Sequence, residues 1–279
     1  MTDTAIIEAN IEVHRALVAA GEYQNSPHFL PENKRRVSQK LQTDVLQRFS
    51  GKPIDAIDFG CGTGFMIDLL VEFVECVHGI DITQEMLDEV DLSSGKVSLS
   101  LGQVENTPFK QNQFDLATAY SFLDHLSDIR IFLEETHRVL KPGGVFYTGL
   151  NPNKAFSDLL RSTAQNYPQE AAMSGIVERE ITCALDNGSY YQEKFGIAKN
   201  ALELAESIKT KYGGIDAFDL KEMALDIGFR EAAISYEWFL GQAHYTALPA
   251  ANASIQSYLD SVMPASLPLF KYFNLVCVK

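Results

Sequence analysis

Residues 54–71 decide what this chain can fold into. Ile54, Ala56, Ile57 and Phe59 form a short apolar run, broken by Asp55 and Asp58. That is the pattern of a strand buried on both faces of a sheet. Three glycines follow at alternate positions, Gly60, Gly62 and Gly64. Glycine reaches φ > 0 and has no Cβ to keep a ligand away from the backbone. A helical pattern then begins, Phe65-Met66-Ile67-Asp68-Leu69-Leu70-Val71. Strand, glycine turn and helix together make a ligand crevice at the carboxyl end of a parallel strand.

The spacing narrows the ligand. Dinucleotide fingerprints read G-x-G-x-x-G, whereas this turn reads G-x-G-x-G and Phe65 stands where the third glycine would fall. A Walker A loop needs Gly-Lys-Ser/Thr, and the turn holds no lysine. A second strand, Cys76-Val77-His78-Gly79-Ile80-Asp81, ends in a carboxylate 17 residues after Gly64. An acidic group at the tip of that strand is placed to accept hydrogen bonds from ribose hydroxyls.

With these motifs in place the chain resembles the class I S-adenosylmethionine-dependent methyltransferases. Asp58-Phe59-Gly60-Cys61-Gly62-Thr63-Gly64 looks like their first motif and Gly79-Ile80-Asp81-Ile82-Thr83 like their second. Leu101-Gly102-Gln103-Val104-Glu105-Asn106-Thr107-Pro108-Phe109 looks like the third. Phe114-Asp115-Leu116-Ala117-Thr118-Ala119-Tyr120 looks like the fourth strand, and His137-Arg138-Val139-Leu140-Lys141-Pro142-Gly143-Gly144 like the turn before strand five. The five motifs stand in the family's order over about residues 50–150.

The resemblance implies an α/β fold: a Rossmann-like, doubly wound, mostly parallel seven-stranded sheet with an antiparallel last strand. N-terminal helices and a helical cap insertion are added to it. It also implies S-adenosylmethionine as cofactor and S-adenosylhomocysteine as product. Cofactor contacts are then expected from Asp58, Gly60, Cys61, Gly62 and Gly64 around the first motif, and from Asp81, Ile82 and Met86 around the second. Gln103, Val104 and Glu105 follow from the third. Gln103 stands where the family often has an aspartate on the adenine amino group, and its amide oxygen can still accept. Tyr120 would hold the amino-acid moiety or the acceptor. N-terminal helices close over cofactor and acceptor in this family, which makes Tyr23 a candidate cofactor contact and His28 a candidate substrate contact.

Tyr120-Ser121-Phe122-Leu123-Asp124-His125 lies just past a strand's carboxyl end, where side chains reach a bound ligand. An acceptor hydroxyl or protonated amine must lose its proton. His125 is the candidate general base and substrate contact, because an imidazole titrates near pH 6.5. Asp124 is the alternative. His137 falls within an amphipathic helix and reads as structural.

Strand patterns continue at Val97 to Leu101, Phe114 to Ala119, Val145 to Thr148, around Ile234 to Leu240 and from Phe270 to Lys279. Helix-cap expectations fall on Thr83, on Ser127 or Asp128, and on Asn200 with Glu203, and a helix is expected to open at Asp219-Leu220-Lys221-Glu222 and end at Gly228. Leu202, Ala205 and Ile208 read as one helical stripe. The chain therefore divides into an N-terminal helical lid (1–50), a cofactor-binding core (51–150), a helical cap insertion (151–215) and the end of the core (216–279).

Composition removes other classes. Net charge is −14 over 279 residues, which argues against a nucleic-acid groove, since that needs a clustered basic face. Lys34-Arg35-Arg36 is too short to change this. Cys61, Cys76, Cys183 and Cys277 show no C-x-x-C spacing, so no metal site or disulfide framework is expected. No apolar run is long enough to span a bilayer, and the N-terminus has no apolar signal region. A cytoplasmic protein with no membrane or nucleic-acid partner is expected, and a homodimer is left open. The reading favoured is a methyltransferase acting on an O, N or C atom of a small-molecule acceptor. The alternatives are a protein or RNA methyltransferase and a non-catalytic S-adenosylmethionine-binding module.

Overall fold

The computed structural model describes residues 4–25, 29–49, 51–167, 173–185, 187–245 and 248–279. Its centre is a seven-stranded sheet. The strands are β1 (Asp55–Phe59), β2 (Cys76–Asp81), β3 (Val97–Leu101), β4 (Phe114–Tyr120), β5 (Leu140–Pro152), β6 (Glu231–Phe239) and β7 (Phe270–Val278). Their spatial order is β3-β2-β1-β4-β5-β7-β6. The first five run parallel, and β7 lies antiparallel between β5 and β6. Strand order reverses beside β1, between β2 and β4, so a crevice opens at the carboxyl ends there. The fold class that the resemblance implies is the one observed.

Thirteen α-helices are seen among the described residues. The first three are α1 (Thr4–Ala19), α2 (Glu22–Asn25) and α3 (Pro31–Asp44). Within the first sheet half lie α4 (Phe65–Leu70), α5 (Gln84–Leu87) and α6 (Ile129–Val139). Between β5 and β6 come α7 (Lys154–Asn166), α8 (Gly175–Leu185), α9 (Asn187–Phe195), α10 (Lys199–Ala205), α11 (Ser207–Tyr212) and α12 (Ala217–Ile227). The last is α13 (Pro249–Ser261).

Strand alternation sends successive side chains into two cores, one on each face of the sheet. Ile57, Phe59, Ala117, Phe146 and Phe273 meet Phe132 and Leu133 of α6 and Leu220 and Ala224 of α12. Ala56, Leu116, Val145, Tyr147 and Val276 meet Val37 and Leu41 of α3 and Met66, Ile67 and Leu70 of α4. A third cluster stands apart. Ala9, Val13 and Leu17 of α1 pack on Ile197 and on Leu202 and Ala205 of α10. The first helix is therefore joined to the insertion by an apolar seam, and the two cover the carboxyl end of the sheet together.

Local details differ from expectation for physical reasons. Thr83 makes no side-chain cap for α5; Asp81 Oδ1 accepts the Thr83 N–H instead (2.9 Å). The helix expected to open at Asp219 begins two residues earlier, at Ala217, because Asp216 caps α12 by accepting from Phe218 N and Asp219 N. Asp128 caps α6, one of the two residues expected to do so. Asn200 and Glu203 form no capping pair, because α10 already begins at Lys199 after Ala198. The expected stripe through Leu202, Ala205 and Ile208 is broken at Glu206 (φ −102°, ψ 46°) into α10 and α11. There the Glu206 carboxylate takes Lys209 Nζ at 2.7 Å. Strand β5 starts earlier than expected, since Lys141 ties its amino end to Asp115 (2.7 Å) and Asp55 (3.3 Å).

The basic triplet does not form a patch. Lys34 pairs with Asp68 (2.9 Å), Arg35 with Glu32 (3.4 Å) and Arg36 with the buried Glu237, and Arg36 also lies over Trp238. No helix among the described residues is long and apolar enough to cross a membrane.

Candidate functional site

The cavity sits where the topology requires, above the carboxyl ends of β1, β2 and β4, and has a volume of about 430 Å³. Its floor is the glycine turn. Gly60 has φ +62°, and a Cβ built on it would lie 2.0 Å from Phe122 Cδ2. Gly62 has φ +53°, with Met86 Cε 3.0 Å from its would-be Cβ. Both positions require glycine for conformation, Gly60 for space as well, and both leave backbone open to the cavity.

Asp81 forms the next wall. It is 8% exposed, and each carboxylate oxygen is held by a backbone N–H: Oδ2 by Gly62 and Oδ1 by Thr83, both at 2.9 Å. The carboxylate is thus fixed in orientation with lone pairs left for a ligand. Burial raises its pKa, and the N–H bonds pull against that rise. Gly60, Cys61, Gly62, Asp81, Ile82, Met86, Gln103, Val104, Glu105 and Tyr120 all line the cavity. Tyr120 stacks on Phe65 with ring centroids 4.9 Å apart.

Two expected cofactor contacts lie elsewhere. Asp58 is beneath the turn, 2% exposed, and accepts from Thr118 Oγ1 at 2.7 Å. Burial pushes its carboxyl up to about 7, with Asp81 adding to the rise and Thr118 opposing it. Gly64 is the N-cap of α4 at φ +91° and faces Val90 rather than the cavity. Each supports the turn from below. His28 lies outside the described residues.

The roof comes from the first helices and the insertion. Tyr23 lines the cavity, and its hydroxyl is hydrogen-bonded to His14 Nδ1. Burial drives the His14 pKa down to about 3, with His125 adding to the fall, so His14 is neutral. Burial also raises the Tyr23 phenol, helped by Tyr191 and Asp81. The His125 ring lies 5.1 Å from that of His14. His125 Nδ1 is 2.8 Å from Asn10 Oδ1 and 3.1 Å from the Ala205 carbonyl. Asp124 beside it is 6% exposed, and its Oδ1 has no hydrogen-bond partner among the described residues. Tyr191, Lys209, Lys271 and Tyr272 complete the far side.

Two rim residues hold left-handed backbone without being glycine: Ser121 at φ +52° after β4 and Leu150 at φ +58° in β5. Both line the cavity. The Ser121 N–H is held by Gly149 O (2.9 Å) and the Leu150 N–H by Asn274 Oδ1 (3.2 Å). Such strain, about 1–3 kcal/mol per residue, persists only where surrounding bonds enforce it.

Sequence reading missed Asn10, His14, Glu206 and Lys209. A signal existed for the first two. Asn10 interrupts an otherwise apolar face of α1, with Ala9, Val13 and Leu17 around it, and His14 is one turn further on. Nothing in the sequence linked α1 to residues near 205. His137 lies away from the cavity, with its ring 5.0 Å from that of Phe229.

Comparison with known proteins agrees with this geometry. A "Methyltransferase domain" family model matches residues 57–148. A 2-phytyl-1,4-naphtoquinone methyltransferase of Nostoc punctiforme is 34% identical over 174 residues, covering 55% of this chain and 70% of that protein. A demethylmenaquinone methyltransferase of Staphylococcus aureus is 37% identical over 100 residues, 34% of this chain and 42% of that protein. Among solved structures, a SAM-dependent methyltransferase from Archaeoglobus fulgidus superposes with TM-score 0.52 at 15% identity, covering 88% of this chain and 94% of that one. The glycine cradle that a Cβ would fill and the anchored Asp81 fit a nucleoside-bearing cofactor, and with these relatives they lead to one conclusion. The chain belongs to the class I S-adenosylmethionine-dependent methyltransferases, with S-adenosylmethionine as its cofactor and S-adenosylhomocysteine as the product.

Proposed function

We propose that this protein methylates an O, N or C atom of a small metabolite, with His125 as general base. The observation that carries the reading is the shared cavity. The glycine turn and Asp81 line one side of it, and His125 with Asn10, His14 and Leu17 of α1, Tyr191 of α9 and Glu206 at the α10–α11 junction lines the other. An acceptor would be enclosed beside the cofactor, under helices, rather than bound along an open groove.

S-adenosylmethionine supplies an activated methyl group on a sulfonium, with a neutral thioether as leaving group. The protein's own work is alignment and proton removal. The backbone of Gly60 and Gly62 would hold the methionine end, Asp81 the ribose, and Ile82, Met86 and Gln103 the adenine side. Holding reactants aligned at about 3–3.5 Å can supply much of the acceleration. His125 would take the acceptor's proton. Residues 1–50 and 151–215 are proposed as lid and cap. The names of the Nostoc and Staphylococcus relatives carry quinone-type acceptors, which supports a small, partly apolar substrate. Ile6, Ile7, Leu17 and Phe156 give the cavity matching apolar walls.

The test is incubation with S-adenosylmethionine carrying a labelled methyl group and a panel of hydroxylated aromatic metabolites, RNA and protein extracts. Label moving into a small molecule, and slowed by His125→Ala, is the expected result. Label moving only into RNA or protein overturns the acceptor class. Transfer at an equal rate in His125→Ala overturns the base.

A further inference from the structure

His125 stands on the short 3-10 turn (Leu123–His125) that follows β4, yet the groups bonded to its ring come from elsewhere. Nδ1 meets Asn10 Oδ1 of α1 at 2.8 Å and the Ala205 carbonyl at the end of α10 at 3.1 Å. The identity of the Asn10 oxygen follows from its other atom. Asn10 Nδ2 donates to Ile6 O (2.9 Å) and to His125 O (3.4 Å). Turning the amide over would set its oxygen against two carbonyl oxygens. Nδ1 therefore faces two acceptors and must carry the proton. In a neutral ring the lone pair is then on Nε2, which has no hydrogen-bond partner among the described residues.

We propose that Asn10 is a positioning residue that fixes His125 in the Nδ1–H tautomer, so that the base is assembled only when α1 and the insertion are docked. This rests on the reading of His125 as the general base. The acceptor's proton passes to Nε2, and the resulting imidazolium keeps its Nδ1–H on the two carbonyl oxygens. Asn10 is 3% exposed, and Ala205 is fully buried in the apolar seam with Val13 and Leu17. Lifting α1 and α10 together off the turn that carries His125 would therefore remove both acceptors and leave the ring free to exchange tautomers.

The charged and titratable groups around the ring do not duplicate this role. From α1 there is His14, bonded to Tyr23, and from β2 there is Asp81. From the α10–α11 junction there is Glu206, which is paired with Lys209. Asp124 is next to His125 on its own turn. None of them is hydrogen-bonded to the His125 ring.

Long-range 1H–15N correlation spectra of uniformly labelled protein, saturated with S-adenosylhomocysteine at pH 8, test this directly. The His125 signals are assigned by their loss in His125→Gln. The wild type is expected to show the Nδ1–H pattern. Asn10→Leu, which keeps the volume and removes the acceptor, is expected to give an averaged or Nε2–H pattern. Asn10→Asp, which keeps the oxygen, is expected to retain Nδ1–H. An Nε2–H pattern in the wild type overturns the inference whether or not the variants fold. An unchanged pattern in folded Asn10→Leu overturns it as well. Failure of the base reading itself appears elsewhere, as unaltered methyl transfer in His125→Gln with the wild-type tautomer intact.

Discussion

Gly60, Asp58 and Asp81 each carry a consequence that one substitution reads. Alanine at Gly60 must hold φ near +62° and place its Cβ inside the Phe122 ring. The backbone cost alone is about 1–2 kcal/mol. Gly60→Ala is expected to lose at least about 2 kcal/mol of unfolding free energy in urea titration; wild-type stability would contradict so close an approach of Phe122 to the turn. Asp58 is protonated in the native state up to pH about 7, against an unperturbed 3.8. As pH rises from about 4 to 7 the unfolded chain releases this proton first, so stability is lost across that window. Asp58→Asn keeps the Thr118 bond without the charge. It is expected to be more stable than wild type at pH 8, by up to roughly 4 kcal/mol, with the difference vanishing near pH 4. Parallel stability curves for the two proteins would refute this. At this scale the sequence marked the turn and Asp81 clearly, because glycine spacing and a strand-end carboxylate are local patterns. It could not show that Asp58 turns away from the cavity, since its Thr118 partner is 60 residues along the chain.

Among the elements, the seam between α1 and α10 has the clearest dynamic consequence. Its apolar residues form a cluster separate from both sheet cores. The exposed Arg15–Glu85 pair ties α1 to α5, not to α10, and adds little, since such pairs contribute about 0–1 kcal/mol. Leu202→Ala removes buried methyl groups from the seam only. Hydrogen exchange should then speed up in α1 and α10 together while β1, β4 and β5 stay protected. Faster exchange in α10 alone would show that the two helices do not move as one unit. The strands were readable from alternation and apolar runs because the sheet is regular. The break at Glu206 was not, because helical spacing continues through it. At the break the Glu206 carboxylate is paired with Lys209, beside a cavity assembled from distant segments.

For the whole molecule, the net charge of −14 and the roofed cavity both support the proposed small acceptor over a polyanion. Dispersal of Lys34, Arg35 and Arg36 into separate ion pairs removes the one basic cluster that the sequence displayed. Fold and cofactor class were legible because five ordered motifs fall on one continuous third of the chain. The acceptor side was not, because its walls come from both flanking regions and share no local pattern. Calorimetric titration with S-adenosylmethionine and S-adenosylhomocysteine reads the cofactor site built on the glycine turn and Asp81. Micromolar binding of both, weakened at least about tenfold in Asp81→Ala through loss of charge-assisted hydrogen bonds, is the predicted result. No binding of either compound by the folded wild type, or equal affinity in the variant, would contradict the account.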